Sequence, residues 1–194
     1  MRDLLPPAAA ARRALGRRLI ETMARHGYEL VTTPAFEREE VLELGLASVG
    51  GADVIRFVEP DTGEVAALRP DMTPQIARIV ATRLRDRPAP WRLAYEGTVV
   101  RRRRGRARRH RQIAQAGFEL IGVAGARGDA EVVRVAVEAA RAAGLDRMHV
   151  ELGHVGITAT ALASIADDDA RAEVADALGR KDVAEVESLA RAAG

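Results

Sequence analysis

Cysteine is absent from the 194 residues of this chain. Structural disulfides, thiolate metal ligands and cysteine nucleophiles are therefore excluded. Aromatic residues make up only 3% of the sequence, so the core must be built from aliphatic side chains. Lysine occurs once, as Lys181, among 30 basic residues. This excess of arginine lowers the weight that any single arginine carries as a functional signal.

Long apolar runs and the common targeting and nucleotide motifs are also missing. No stretch approaches the roughly 20 apolar residues that a membrane helix requires, and the N-terminus lacks the apolar segment of a signal peptide. Neither G-x-x-x-x-G-K-[ST] nor G-x-G-x-x-G occurs. The four histidines show no metal-ligand spacing. We therefore expect a cytoplasmic protein with no membrane partner, no metal and no cofactor.

Apolar residues are plentiful, at 47%, and the formal net charge is close to balanced, at +2. One domain with a genuine core is expected over residues 1–194. Apolar residues at helical spacing predict a helix over residues 8–26 and a second that Asp129 begins and Gly144 ends. Shorter helices are expected within residues 38–46, after Thr73, and, as three stretches, within 155–193.

Alternating apolar residues predict strands, most of them in two hairpins. The first hairpin turns at residues 60–63. The second pairs residues 88–100 with 112–123 around an arginine-rich loop, and single strands are expected at 28–34 and 147–155. Because hairpins alternate with helices, the predicted fold class is α+β with an antiparallel sheet, not alternating parallel units.

The arginine-rich loop holds eight arginines within residues 101–111. Guanidinium groups this dense repel one another, so the loop either stays solvated or meets an anion. An RNA-binding surface would gain from stacking aromatic rings, and only His110 carries a ring there. Composition alone leaves a solvated loop, a phosphate contact and a nucleic-acid surface all open.

Polar residues in two other segments form candidate ligand contacts. Gln115 and Glu119 are four apart in a predicted strand, so both point to one face, opposite to Phe118. That face is either an amino-acid pocket or an ordinary polar outer face of the sheet. Asp71 and Thr73 precede a helix, where they either accept an ammonium group or simply cap the helix.

Several segments together resemble the catalytic core of histidyl-tRNA synthetase, a class II synthetase. They occur in order and cover almost the whole chain: RDLLPP, HGYELVTTPAFE, LRPDMTPQIAR, the arginine-rich hairpin, and GDAEVVRVAVEAARAAGL. The resemblance implies a class II synthetase-like α+β fold with an antiparallel sheet flanked by helices. It also implies an incomplete C-terminus, because the family continues past this point with a further glycine-rich motif.

A close relative within this family, the regulatory subunit of ATP phosphoribosyltransferase, is the better match. The synthetase usually carries glutamate and glycine where Asp71 and Met72 stand, and histidine where Ala114 stands. The class also carries a glutamate two positions after Arg101, where it helps to hold ATP. Position 103 is Arg103 instead, so we expect that adenylate formation has been lost. The regulatory subunits usually keep an acid nearby, so the arginine run departs from both groups.

The resemblance implies a non-catalytic role in histidine biosynthesis. It implies free histidine as a feedback ligand, a short-form catalytic ATP phosphoribosyltransferase subunit as partner, self-association, and no tRNA. The alternatives are a histidyl-tRNA synthetase or an RNA-binding module that uses the arginine loop. The residues that match histidine contacts of the family are Asp71, Thr73, Arg101, Arg109, Gln115 and Glu119.

Overall fold

The computed structural model describes residues 3–46, 54–101 and 112–192. The chain forms two compact units, Met1–Asp146 and Arg147–Gly194. The interpretation of residues 1–194 as one domain stays a prediction. Within the described ranges, no helix has both the length and the apolar character needed to cross a bilayer.

The first unit contains four described helices and two three-stranded sheets. The helices are α1 (Ala8–Arg25), α2 (Glu39–Leu46), α3 (Thr73–Arg83) and α4 (Ala126–Ala142). The strands are β1 (Glu29–Leu30), β2 (Phe36–Arg38), β3 (Ile55–Val58), β4 (Val65–Leu68), β5 (Trp91–Val100) and β6 (Gln112–Ile121). The main sheet has the order β1-β5-β6, and the smaller sheet has the order β2-β4-β3.

Both predicted hairpins are confirmed. Strands β3 and β4 pair antiparallel, as do β5 and β6 over ten residue pairs. The predicted strand 28–34 is much shorter, and β1 pairs in parallel with β5, with Glu29 opposite Leu93. The main sheet is therefore mixed and not purely antiparallel. A parallel neighbour requires a long crossover. Here α2, α3 and the three strands of the smaller sheet lie between β1 and β5 in the sequence.

Two helix starts differ from the sequence prediction: that of α3, described with the site below, and that of α4. Helix α4 begins at Ala126, directly after Gly125, whose φ of 76° ends the preceding turn. Asp129 therefore lies in the first turn and does not cap the helix, although its carboxylate still suits the positive end of the helix dipole. Gly144, with a φ of 96°, follows the last turn as predicted.

The second unit contains α5 (Val155–Leu162), α6 (Asp168–Arg180) and α7 (Val183–Ala192), so the three predicted helices are confirmed. The predicted strand 147–155 is wrong, because none of these residues is assigned to a strand. Alternating residues make a strand only when a partner strand accepts their backbone bonds. At the end of this segment His154 instead caps α5, its ring Nδ1 accepting from the Gly156 amide at 3.0 Å.

The main sheet is covered on both faces. On one face Leu93, Tyr95 and Val99 of β5 pack against Ile76 and Val80 of α3. On the other face the buried side chains come from α1, β5 and α4 and from the turn after α1: Met23, Tyr28, Ala94, Val135 and Ala139. The face under α3 carries the polar residues described below, so it is not a solvated outer face.

An ion pair fastens α4 to the sheet. Glu131 of α4 accepts two hydrogen bonds from the Arg92 guanidinium, at 2.7 and 2.8 Å, and a third from the Tyr28 hydroxyl at 3.1 Å. The hydrogen bond from Arg92 lowers the pKa of the Glu131 carboxyl below its ordinary value. The charged form of Glu131 is therefore the form that the fold stabilises.

We predict that Glu131→Gln destabilises the first unit at neutral pH, by about 1–2 kcal/mol, since hydrogen bonds to charged groups contribute on this scale. A carboxyl whose pKa is lowered on folding stabilises the protein above its unfolded pKa of about 4.3. That contribution is lost as the pH falls through the lower, folded-state pKa. Urea unfolding at pH 7 and pH 3 should therefore show a smaller difference at pH 3 than at pH 7. Glu21→Gln, at an exposed position on α1, is the control, and an equal loss at both pH values would contradict the assignment.

Candidate functional site

The candidate site lies on the face of β6 that α3 covers. Gln115 and Glu119 both point to this face, as predicted, because each bonds residues of the segment that begins α3. Phe118 points the other way and meets the Tyr28 ring edge-on, with the ring centroids 4.8 Å apart. The register places Gln115 opposite Gly97 of β5.

Asp71 is the centre of one half of the site. Its carboxylate accepts from the Gln115 amide at 3.3 Å on each oxygen and from the Arg101 guanidinium at 3.1 Å. Arg101 also donates from Nε to the Pro70 carbonyl at 2.8 Å. The side chains of Asp71 and Arg101 remain 20% and 27% exposed, so a ligand can reach them.

Glu119 is the centre of the other half. Its Oε1 accepts from the Thr73 hydroxyl at 2.7 Å and from the Tyr95 hydroxyl at 3.1 Å. No described residue donates to Oε2 of Glu119. The same is true of Oε1 of Gln115, which is shielded from solvent. Each half of the site therefore offers one acceptor oxygen that the described residues do not use.

Thr73 joins the two halves. Its hydroxyl donates to Glu119, and its backbone amide donates to Oδ1 of Asp71 at 3.0 Å. Asp71, not Thr73, thus supplies the bond that caps α3, and Thr73 is the first helical residue. The structure brings together five of the six predicted residues, in one connected network. Arg109 lies outside the described residues.

Tyr95 belongs to this network but was not predicted from the sequence. It is 4% exposed, and burial raises the pKa of its hydroxyl well above the ordinary value, so it stays a protonated donor. Gly117, its partner in the β5–β6 register, makes room for it. A Cβ at Gly117 would lie 2.6 Å from the Tyr95 hydroxyl oxygen. A glycine inside a strand was the signal that could have revealed this close approach.

Met72 stands in the sequence between Asp71 and Thr73, which belong to the two halves of the site. Its side chain is fully buried and packs with Ile76 of α3 and Leu93 of β5. A Cβ at Gly97 would lie 3.2 Å from the Met72 sulfur, so glycine allows this close packing over the strand. In the described parts of the chain, this site included, no three His, Asp or Glu side chains lie close enough to hold a metal ion.

Comparison with known proteins identifies the family. The sequence model of the histidyl-tRNA synthetase family matches residues 1–194. The chain belongs to the histidyl-tRNA synthetase family. Among curated proteins, it is 44% identical over 194 residues to the ATP phosphoribosyltransferase regulatory subunit of Anaeromyxobacter sp. (strain Fw109-5), covering 100% of this chain and 57% of that protein.

Two solved structures of family members have the same fold. One is an ATP phosphoribosyltransferase regulatory subunit/histidyl-tRNA synthetase from Bacillus halodurans, with a TM-score of 0.89 and 31% identity over 99% of this chain and 50% of that one. The other is a histidine–tRNA ligase subunit from Alicyclobacillus acidocaldarius, with a TM-score of 0.82 and 29% identity, covering 97% of this chain and 54% of that one. The predicted class II synthetase-like α+β fold is confirmed, and the chain spans about half the length of these relatives.

We predict that Gly117→Ala disrupts the Glu119 half of the site. The added methyl group must displace Tyr95, so the substitution should lower the free energy of unfolding by about 1–3 kcal/mol, as overpacked cores do. Urea unfolding followed by circular dichroism measures this change. Gly179→Ala, on α6 with open space around its Cβ position, is the matched control and should be neutral or slightly stabilising. Equal stability of the Gly117→Ala variant and the unaltered chain would show that Tyr95 does not pack as described.

Proposed function

We propose that this chain acts as a non-catalytic regulatory subunit of ATP phosphoribosyltransferase and binds free histidine as a feedback signal. The proposal includes a short-form catalytic subunit as partner, self-association, a cytoplasmic location and no dependence on tRNA. The bound histidine lies over Met72, between the Asp71 half and the Glu119 half of the site.

The observation that supports histidine best is the set of acceptors in the network around Thr73. Histidine brings an ammonium group with three donors and an imidazole with at least one N–H. The Asp71 carboxylate suits the ammonium group, since Asp71 is anionic and partly exposed. Glu119 suits the imidazole, because Thr73 and Tyr95 bond only one of its two oxygens. Charge-assisted hydrogen bonds of this kind are the stronger ones.

A regulatory role, as opposed to aminoacylation, is supported by the sequence and by the relatives. Asp71, Met72 and Ala114 match the regulatory subunit where the synthetase usually differs, and Arg103 replaces an ATP-holding glutamate. The curated protein that is 44% identical bears the name of the regulatory subunit. A histidine signal then acts by binding one state of the enzyme complex more tightly than another.

We predict that calorimetric titration of the chain with histidine gives saturable binding. Glu119→Gln should weaken that binding roughly ten- to a hundredfold, because it replaces a charged acceptor and such bonds contribute about 1.5–3 kcal/mol. Glutamine keeps the shape of the side chain, and its oxygen still accepts from Thr73 and Tyr95, so folding should be preserved.

Glu96→Gln is the matched control. Glu96 lies on β5 but on the opposite face of the same sheet, close to Gly16 of α1. This variant should bind histidine as the unaltered chain does. Histidine binding that is unaffected by Glu119→Gln, or no binding at all, would sink the proposed ligand.

A second candidate function, histidyl-tRNA synthetase, is favoured by the family match over residues 1–194. We predict no histidine-dependent exchange of pyrophosphate into ATP. The reason is chemical, since exchange requires adenylate formation, and Arg103 stands at the sequence position where the class usually carries the glutamate that helps to hold ATP. An authentic histidyl-tRNA synthetase assayed in parallel is the positive control. Clear exchange by this chain would replace the regulatory proposal with the synthetase.

A further inference from the structure

Arg69 is the one buried arginine among the described residues, with 7% of its surface exposed. Burial lowers the pKa of its guanidinium from the ordinary value. The described residues provide no carboxylate to pair with it. Burying an unpaired cation is costly, so its neutral hydrogen-bond partners must offset that cost.

The Arg69 side chain bonds two separate segments. Its Nη1 donates to the Thr33 carbonyl at 2.8 Å, to the Thr33 hydroxyl at 2.8 Å and to the Pro34 carbonyl at 3.0 Å. Its Nε donates to the Thr98 carbonyl of β5 at 2.9 Å. A planar guanidinium holds such partners in fixed relative directions.

The Arg69 backbone bonds the same two segments. Its amide donates to the Ala35 carbonyl at 3.2 Å, and its carbonyl accepts from the Val100 amide at 2.9 Å. The connection between β1 and β2 and the end of β5 are therefore each joined to Arg69 twice, by main chain and by side chain. This arrangement fixes the end of β5 relative to residue 69.

The end of β5 leads directly into the Asp71 half of the site, where the proposal places the ammonium group of histidine. Arg101 follows Val100 directly, and it bonds the Pro70 carbonyl and the Asp71 carboxylate. Pro70 and Asp71 follow Arg69 directly. The distance between Arg101 and Asp71 is thus set from both sides by contacts that Arg69 makes.

Two neighbours complete this arrangement. Gly97 leaves space for the guanidinium, because a Cβ there would lie 2.6 Å from Nη2 of Arg69. Gln75, fully buried in the first turn of α3, donates to the same Pro34 carbonyl at 3.0 Å. Arg69 and α3 are therefore anchored to one shared acceptor.

We propose that Arg69 is a positioning residue for the ammonium half of the site, acting through Asp71 and Arg101 without touching the ligand. This assignment rests on the proposed function for the identity of the ligand. The contacts that hold residues 69–71 against the end of β5 are independent of that function. One experiment can therefore contradict the positioning role of Arg69 or the histidine proposal separately.

The test uses the full chain with Arg69→Met and Arg69→Lys, read by site-resolved amide hydrogen exchange and by histidine titration. Arg69→Met should speed exchange at the amides of Val100 and Thr73 about tenfold or more, and leave the amide of Leu93, which faces β6 in the ladder, unchanged. It should also weaken histidine binding about tenfold or more. Arg69→Lys keeps the positive charge but loses the planar guanidinium and its several donors. Faster exchange and weaker histidine binding should therefore both be present, but smaller than in Arg69→Met.

Arg87→Met is the matched control, since Arg87 also joins two segments, through an exposed ion pair with Glu29. It should change neither readout. If Arg69→Met fails to fold by circular dichroism, Arg69→Lys alone decides, and unaltered exchange and binding in it would overturn the proposal. Uniformly faster exchange across the first unit, or unchanged exchange at Val100 and Thr73, would also overturn it. Local loss of protection in a chain that never binds histidine would support the positioning role and sink the proposed function.

Discussion

The register of the β5–β6 ladder is the constraint on which the site depends. Ten aligned residue pairs place Gln115 opposite Gly97 and Glu119 opposite Leu93. Because side chains alternate along a strand, a slip of one residue would turn both polar side chains toward α1 and α4. That face already buries Phe118 against Tyr28. The apolar packing on one side of the sheet therefore fixes the polar arrangement on the other.

Glycine contributes to the same constraint. Gly97 and Gly117 stand on the face that α3 covers, and each leaves room for a long polar side chain from elsewhere. Arg69 lies over the first, and Tyr95 over the second. Glycine costs stability inside a strand, since it packs no side chain and loses more backbone entropy on folding. Here that cost is offset by two side chains whose hydrogen bonds orient Asp71 and Glu119.

Much of this arrangement could be predicted from the sequence, because it follows from local periodicity. The shared face of Gln115 and Glu119 follows from their spacing, and both hairpins follow from alternation around turn residues. The proximity of Asp71 to β6 came only from the family resemblance, since no local pattern brings residues 44 positions apart together. The parallel β1–β5 pair and the missing strand at 147–155 depended on long-range pairing, which periodicity does not contain.

Tyr95 and Arg69 escaped prediction for a different reason. Tyr95 sits in an apolar strand and reads as a core residue, which it also is. Arg69 is hidden among many arginines, most of them on the surface, so its residue type gave no signal. What distinguishes it is burial among carbonyl oxygens of two other segments, a property of the tertiary structure alone.

The site is satisfied largely by its own residues, and this decides how a ligand can bind. Asp71 already accepts from Arg101 and Gln115, so an ammonium group must share or replace those bonds. The net gain is then the difference between two sets of hydrogen bonds, which is smaller than either set. A site of this kind favours a ligand that binds weakly enough to leave again when its concentration falls.

Thr73 bonds both carboxylates from the first turn of α3. A ligand that displaces either carboxylate therefore also changes a contact of that helix. Helix α3 in turn reaches β2, through the Arg78–Glu37 ion pair at 2.7 Å. Packed and hydrogen-bonded elements therefore run without a break from the site to the small sheet, and networks of this kind carry coupling where they have two discrete arrangements.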